Sequence, residues 1–394
     1  VSVPLPRELE LPQSIRDIAA TLETAGYETW CVGGALRDRV LGYPADDVDL
    51  ATAATPDQVM RLFPRAVAVG VKYGTVGVLD RSRVLHEVTT FRKDVATDGR
   101  HAVVEFGVSL EEDLARRDFT MNALAYHPVR LEWRDPFRGA EDLERRLIRA
   151  VGEPARRFAE DYLRVLRALR FAARFDFAID PATWDAAVAA APGLAGLSAE
   201  RVREEWFKGL ETARSIPRLV ELWKTAGAAT IWLPELGSGS GLADREPDPR
   251  DPVVLTAALC RSPDRVLTRL RGSGEEISRA RALGSGPREP EGSDPTVVRR
   301  WMSAVGSAVA DLLLLARYRL GAAPDWEATV QGIQSRGEAV SRSQLAISGD
   351  DLVEAGLPKG PSMGKLLARL LDLVLEDPSQ NNRDALLGKA REWS

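Results

Sequence analysis

Apolar positions in SIRDIAATLETAGY recur at helical spacing, which predicts an amphipathic helix ending near Gly26. The apolar run ETWCV then predicts a short strand, and Gly33-Gly34 opens a second helix, ALRDRVLG. DVDLATA has strand character. TPDQVMRLF predicts a helix with Thr55 as its cap and Pro56 at its first position. GTVGVLD and RVLHEVTTFR alternate polar and apolar residues as a pair of strands does. The first 150 residues therefore predict a mixed α/β unit with a small sheet. From about residue 151 the pattern turns helical, beginning with EPARRFAEDYLRVLRALRFAARF, and stays so to the end. Two loops rich in glycine, proline and charge, GSGSGLADREPDPRDP and GSGPREPEGSDP, interrupt the helical part. No repeat of fixed period occurs.

Composition narrows the class. The 394 residues, 44% hydrophobic and 28% charged, suit a folded chain of several compact units and exclude global disorder. A net charge of −5 excludes wholesale electrostatic attraction to nucleic acid, though not local basic patches. Two cysteines far apart, Cys31 and Cys260, fit a reducing cytoplasm better than a disulfide-stapled secreted domain. The N-terminus lacks a signal pattern, and the most apolar helical stretch, VGSAVADLLLLARYRL, is broken by Asp311 and Arg317, so no membrane span is expected.

The candidate chemistry begins with ADDVDLAT. On a strand over residues 47 to 51, Asp47 and Asp49 project from one face while Val48 points into the sheet and Asp46 falls on the other side. Two carboxylates held together suit a hard divalent cation such as Mg²⁺. The nearby Gly33-Gly34 turn offers backbone amides to phosphate oxygens. Together they describe a nucleoside triphosphate bridged through metal, the arrangement of a two-metal phosphoryl transfer.

Six further stretches occur with it. GGALRD, DDVDLAT with TPDQVMRLFP, HEVTTFR, SLEEDLARRDFTMNALA, DPFRGAEDL and EDYLRVLRALRF together resemble the class II tRNA nucleotidyltransferases, the CCA-adding enzymes and their bacterial poly(A) polymerase relatives. The resemblance spans roughly residues 28 to 210, and the ending ISGDDLVEAGLPKGPSMGKLLARLLDLVL is similar to that family's C-terminal region. It implies a polymerase β-like nucleotidyltransferase head with a small mixed sheet over residues 1–150. A helical neck over 151–215, a helical body over 216–335 and a helical, tRNA-binding tail over 336–394 would follow. Mg²⁺ would be the cofactor, ATP and CTP the nucleotide substrates, tRNA the partner and the cytoplasm the location.

Residue by residue, the resemblance puts Asp47 and Asp49 on the metal-binding pair, and Gly33, Gly34 and Arg37 at the triphosphate. Glu87 falls where a third catalytic carboxylate could lie, or is a structural strand residue. Arg117 falls on a nucleotide-contacting arginine, with Asp118 and Asn122 orienting it or meeting the ribose. DPFRGAEDL is expected to be a structural turn.

In EDYLRVLRALR, helical spacing sets Asp161 beside Arg164, and Arg164, Arg167 and Arg170 along one stripe. A carboxylate accepts and a guanidinium donates. Such a pair matches cytosine and adenine, which offer an amino group beside a ring-nitrogen acceptor, and mismatches uracil and guanine. Arg167 and Arg170 would reach phosphates. The family resemblance implies that these residues select CTP and ATP without a nucleic acid template. Six arginines against two acids between Ala155 and Phe175 form a local basic patch for RNA, and Lys359, Lys365 and Arg369 supply cations in the tail.

The family divides into CCA-adding, CC-adding, A-adding and poly(A)-adding members, and KDVATDGRHAVVEF, at the loop that separates them, is a shade short for a CCA-adding enzyme. A catalytically silent RNA-binding scaffold, or a nucleotidyltransferase for small molecules, are the readings from other classes.

Overall fold

The computed structural model describes residues 5–45, 47–97, 102–237, 242 and 250–393. They form two compact units, residues 1–234 and 235–394.

The first unit begins with α1 (Gln13–Thr24), whose Ile15, Ile18, Ala19 and Leu22 are buried. The strands β1 (Thr29–Val32), β2 (Asp49–Thr52), β3 (Ala66–Gly70), β4 (Thr75–Leu79), β5 (Leu85–Thr90), β8 (Ala125–His127) and β9 (Glu132–Arg134) make one sheet in the order β3-β4-β5-β2-β1-β8-β9. Only β2 and β5 run parallel; the other pairs are antiparallel, so the sheet is mixed. Two short helices follow β1 and β2: α2 (Gly34–Val40) and α3 (Pro56–Leu62), the latter with the Thr55–Gln58 capping box. Strand alternation sends Leu50, Val76, Val78 and Val88 into a core shared with α1 and α3. On the opposite face Trp30, Val32 and Ala51 pack with Leu110 and Leu114 of α4 (Leu110–Ala115). Asp49, at the head of β2, and Glu87, on β5, lie on this second face.

The segment read as a loop after VTTFR is largely a β-hairpin: β6 (Arg92–Thr97) pairs antiparallel with β7 (Ala102–Phe106). The DGRH portion, residues 98–101, lies outside the described residues, as does most of GSGSGLADREPDP. In DPFRGAEDL the expected turn covers only DPFR, and GAEDL is already helix. Asp135 accepts from the amides of Gly139 and Ala140, at 2.6 and 3.0 Å, and caps α5 (Gly139–Glu144). A Cβ on Gly139 would overlap the backbone oxygen of Thr120, which cannot swing aside. Gly139→Ala is therefore expected to destabilise the unit by about 1–3 kcal/mol, the range for overpacking; a denaturation curve checks this.

From β10 (Leu147–Ile148) onward the unit is helical apart from β11 (Ala178–Ile179), which pairs parallel with β10. The helices are α6 (Pro154–Glu160), α7 (Leu163–Phe175), α8 (Pro181–Ala190), α9 (Ala199–Thr212), α10 (Ile216–Thr225) and α11 (Ala228–Trp232). Helix α7 buries Val165, Leu166, Leu169 and Ala172, while Trp206 of α9 meets Trp223 of α10 edge-on at 5.0 Å.

The second unit is helical in its described residues. It contains α12 (Pro252–Leu259), α13 (Pro263–Arg269), α14 (Gly274–Ser285), α15 (Pro295–Val305), α16 (Val309–Leu320) and α17 (Glu327–Ser335), then α18 (Gly349–Glu354), α19 (Pro361–Glu376) and α20 (Arg383–Trp393). GSGPREPEGSDP connects α14 to α15. Leu352, Leu370, Val374, Leu386 and Ala390 make its C-terminal core. The apolar stretch noted above becomes α16, whose Asp311 is bound by Arg279 of α14 at 2.7 Å. Among the described residues no helix is long and apolar enough to cross a membrane. Cys31 and Cys260 are both buried free thiols, with burial pushing the Cys260 thiol up to about 12.

Candidate active site

The β1–β2 pairing builds the centre of the site. Val32 lies opposite Asp49, so the chain leaving β1 at Gly33 turns beside that carboxylate. Gly33 has φ +87°, and a Cβ there would stand 3.2 Å from Asp49 Oδ2 and 3.5 Å from Arg117 Nη1. Glycine is thus favoured by the backbone conformation, and a side chain there would press on the Asp49 carboxylate. The strand begins at Asp49, two residues later than the alternation predicts, yet the alternation carries through. Val48 is buried in the core, Asp47 is exposed and Asp49 half-buried. Asp46 lies outside the described residues.

Asp49 is the electrostatic pivot. Burial first, then the charges of Asp47 and Glu87, push its carboxyl up to about 6, against the pull of Arg117. The negative charges of Asp47 and Glu87 beside Asp49 favour a cation at that point. Among the described residues no cluster of three His, Cys, Asp or Glu could hold a metal ion alone. Two carboxylates with positions left for substrate oxygens are what a hard divalent ion such as Mg²⁺ takes, so the donor set fits one. Asp47 and Asp49 would hold it.

Around this centre lie two adjoining cavities. The larger, about 480 Å³, is lined by Gly33, Gly34, Arg37, Asp49, Arg117, Asp118, Asn122, Asp161, Arg164, Arg167 and Arg170, together with Arg116, Arg174 and Arg201. The smaller, about 240 Å³, is lined by Thr75, Glu87, Thr89, Arg92 and Asp113. Asp49, Arg116 and Arg117 line both. The fold thus brings every predicted nucleotide-binding residue to one cavity and Glu87 to the next.

The partners of those residues differ from the expected ones at several points. Asp161 and Arg164 do not share a helix. Asp161 has φ −156° and ψ 104°, so the expected single helix breaks between α6 and α7. The break is held from outside: the Tyr162 ring covers Gly193, and Arg201 of α9 reaches Asp161 Oδ2 at 2.7 Å. Asp161 Oδ1 accepts from Leu163 N–H at 3.0 Å. Arg164 pairs with Glu160 rather than Asp161, its Nη1 donating at 2.7 Å to that carboxylate and at 2.9 Å to the Arg157 carbonyl. Nη2 donates to the Arg116 carbonyl at 3.1 Å. Of the five guanidinium N–H groups, Nε–H and one on Nη2 remain.

Asp118 does not orient Arg117. Its Oδ2 binds Arg167 at 2.7 Å and its Oδ1 accepts from Asn122 at 2.8 Å. Burial opposes ionisation, but Arg167, with hydrogen bonds from Asn122, Arg167 and the Phe119 amide, holds the Asp118 carboxyl at about 2. Arg117 is instead placed by Asp113, at 3.2 Å, and its Nε is buried with no hydrogen-bond partner, a donor left for an anion. Arg37, expected at the triphosphate, is buried between Phe171 and Phe175 at 4.8 Å each. It donates to Asp38 at 2.7 and 2.9 Å and to the Asn122 side-chain oxygen. Arg170 is buried against Glu205, at 2.6 Å, and over Phe171.

Asp118→Asn should therefore release Arg167 and lower stability by about 3 kcal/mol at pH 7, the scale for breaking one side of a buried pair. The folded carboxyl lies below its unfolded value of 3.8, so its stabilisation is complete above that pH and is lost as pH falls toward about 2. Urea curves of the two proteins should separate at pH 7 and converge near pH 2.

Sequence reasoning missed Asp113, Arg116, Glu160, Arg174, Arg201 and Glu205. Asp113 and its partners Arg116 and Arg117 stand at helical three- and four-residue spacings, a signal that was present in SLEEDLARRD. Arg201 meets Asp161, and Glu205 meets Arg170 of α7, only through the tertiary fold.

A mixed sheet presenting paired carboxylates beside a glycine turn, with an arginine-lined cavity next to it, defines a nucleotidyltransferase. Residues 29–149 match the family model described as Poly A polymerase head domain. Residues 176–238 match "Probable RNA and SrmB- binding site of polymerase A", and residues 313–390 match a tRNA nucleotidyltransferase domain 2. The CCA-adding enzyme of Limosilactobacillus fermentum is 35% identical over 98% of both chains. That of Geobacillus stearothermophilus is 46% identical over 53% of this chain and 52% of its own. The crystal structure of the Bacillus stearothermophilus CCA-adding enzyme in complex with CTP superposes with a TM-score of 0.81 at 31% identity, covering 97% of each chain. The chain belongs to the CCA-adding enzyme family of tRNA nucleotidyltransferases.

Proposed function

We propose that this protein adds CCA to the 3′ end of tRNA from CTP and ATP, in the cytoplasm, with Mg²⁺ as the divalent ion. The observation that carries the reading is the convergence of Asp49, Glu87, Arg117, Asp161 and Arg164 on adjoining cavities of one unit, with the charge of Asp47 acting on Asp49. The triphosphate lies in the larger cavity, its phosphates approached by the Gly33-Gly34 backbone and by the Arg117 guanidinium. The tRNA 3′-oxygen bonds to the α-phosphorus, the bond to pyrophosphate breaks, and the hydroxyl proton leaves toward Glu87 beside Asp49. A bound divalent ion would supply charge neutralisation of the pyrophosphate and acidify the attacking hydroxyl. Asp47 and Asp49 would hold that ion, while Asp118 and Asn122 keep Arg167 and Arg37 along the cavity wall.

Base choice follows from the donors and acceptors left over. Asp161 accepts the amino group of cytosine or adenine, and the remaining Nε–H and Nη2–H of Arg164 donate to the ring nitrogen. Uracil or guanine would set a carbonyl against the carboxylate and an N–H against the guanidinium, at on the order of 1–3 kcal/mol per unsatisfied group. Residues 1–150 act as head, 151–215 as neck, 216–335 as body and 336–394 as the tRNA-holding tail. Relatives similar over nearly their whole length bear the name CCA-adding enzyme, which favours that activity over the split or poly(A)-adding ones. The intact carboxylates speak against a silent scaffold. Pyrophosphate release tests the reading: it should require tRNA lacking its CCA end, CTP or ATP, and a divalent ion, with Mg²⁺ sufficient. Release without tRNA, or equally fast with UTP, would overturn it.

A further inference from the structure

Thr75 and Thr89 have no part in the reading so far, yet both line the smaller cavity with Glu87 and Asp49. They sit directly opposite each other on β4 and β5, their hydroxyl oxygens 3.0 Å apart. In the parallel β2–β5 pairing, Ala51 is level with Thr89, so Asp49 and Glu87 occupy the neighbouring row of the same face. Side chains two apart on a strand are about 7 Å apart at their Cα atoms, and neighbouring strands about 5 Å apart. The threonine pair is therefore one side chain's reach from the carboxylates.

Resting on the function proposed above, we infer that this smaller cavity seats the terminal ribose of the acceptor RNA and that the Thr75–Thr89 pair reads its 2′-hydroxyl. The larger cavity is taken by the triphosphate, and the two meet only where Asp49, Arg116 and Arg117 line both. An acceptor hydroxyl attacking at Asp49 must approach from the smaller one. When the 3′-oxygen is at Asp49, the adjacent 2′-hydroxyl lies within a hydrogen bond of the next groups along that face. A hydroxyl donates and accepts at once, and so does each threonine, so the three can form a closed chain of hydrogen bonds. The 2′-hydroxyl is what distinguishes RNA from DNA at a given position. A deoxy terminus would leave that chain open in a half-buried cavity.

The test compares CMP addition to two acceptors that differ only in a ribose or 2′-deoxyribose at the last nucleotide. The wild-type enzyme should favour the ribose end about tenfold or more, the worth of one buried hydrogen bond. Thr89→Val, which keeps the shape and removes the hydroxyl, should bring the preference to near unity by slowing the ribose acceptor alone, and Thr89→Ser should restore it. A structural role in the sheet, where threonine pairs also stabilise, would lower the rate with both acceptors and leave their ratio unchanged. That result, or a wild-type enzyme indifferent to the 2′-position, overturns the inference while leaving CCA addition standing. Failure of the wild-type protein to extend the ribose acceptor overturns the parent reading and this one with it.

Discussion

Replacing Asp49 with asparagine should cost at least about a thousandfold in kcat while making the metal-free protein more stable. The loss follows from the several kcal/mol of transition-state charge stabilisation that a correctly held divalent ion supplies. The gain follows from the environment of the carboxylate, which burial and the neighbouring Asp47 and Glu87 push up to about 6. For an acid raised in the folded state, ionisation opposes folding. The penalty is absent below the unfolded value of 3.8 and fully developed above about pH 6. A rise from 3.8 to about 6 corresponds to at most about 3 kcal/mol, and partial solvent access makes the realised figure smaller. Urea denaturation in a chelating buffer at pH 7.5 should show Asp49→Asn more stable than wild type. Added Mg²⁺ should stabilise the wild type and not the variant. Asp47→Asn should lose activity comparably with a smaller stability change, since Asp47 is exposed. Substantial turnover in either variant would remove the metal assignment.

The second large effect concerns base choice. Arg164→Ala and Asp161→Ala should each lower the preference for CTP over UTP by roughly 10- to 100-fold, the equivalent of 1–3 kcal/mol per lost or mismatched hydrogen bond. Because Asp161 is held by Arg201 across the cavity, Arg201→Ala should weaken the same preference without touching the base itself. A side chain merely supporting the fold would alter kcat with CTP and UTP alike. Incorporation kinetics with the four nucleotides separate these outcomes.

How far the site could be read before the fold was known depends on the range of the interactions. The Asp47/Asp49 alternation and the Gly33-Gly34 turn are local, and the structure keeps both although β2 starts only at Asp49. The helix α1, the capped α3 and the β4–β5 pair are likewise visible in residue spacing. Strands β8 and β9, three residues each, carry no periodicity of their own and exist because β8 pairs with β1 and β9 with β8. The break at Asp161 is of the same kind. Nothing in EDYLRVLRALR stops a helix; Tyr162 against Gly193 and Arg201 on Asp161 do so from 31 and 40 residues away. Helical spacing therefore named Asp161, Arg164, Arg167 and Arg170 of the larger cavity and misassigned their partners. Arg164 leans on Glu160, Arg167 on Asp118 and Arg170 on Glu205, which turns an expected row of phosphate-binding arginines into a braced wall.

The most direct measurement is product length on three acceptors: tRNA ending before the CCA sequence, after its first C and after its second C, each given CTP, ATP or both with Mg²⁺. The account predicts that all three grow to a complete CCA end with both nucleotides and stop there, and that only the last accepts A alone. Growth that halts at CC, extension only of the CC-ended tRNA, or an open-ended A tail would contradict it.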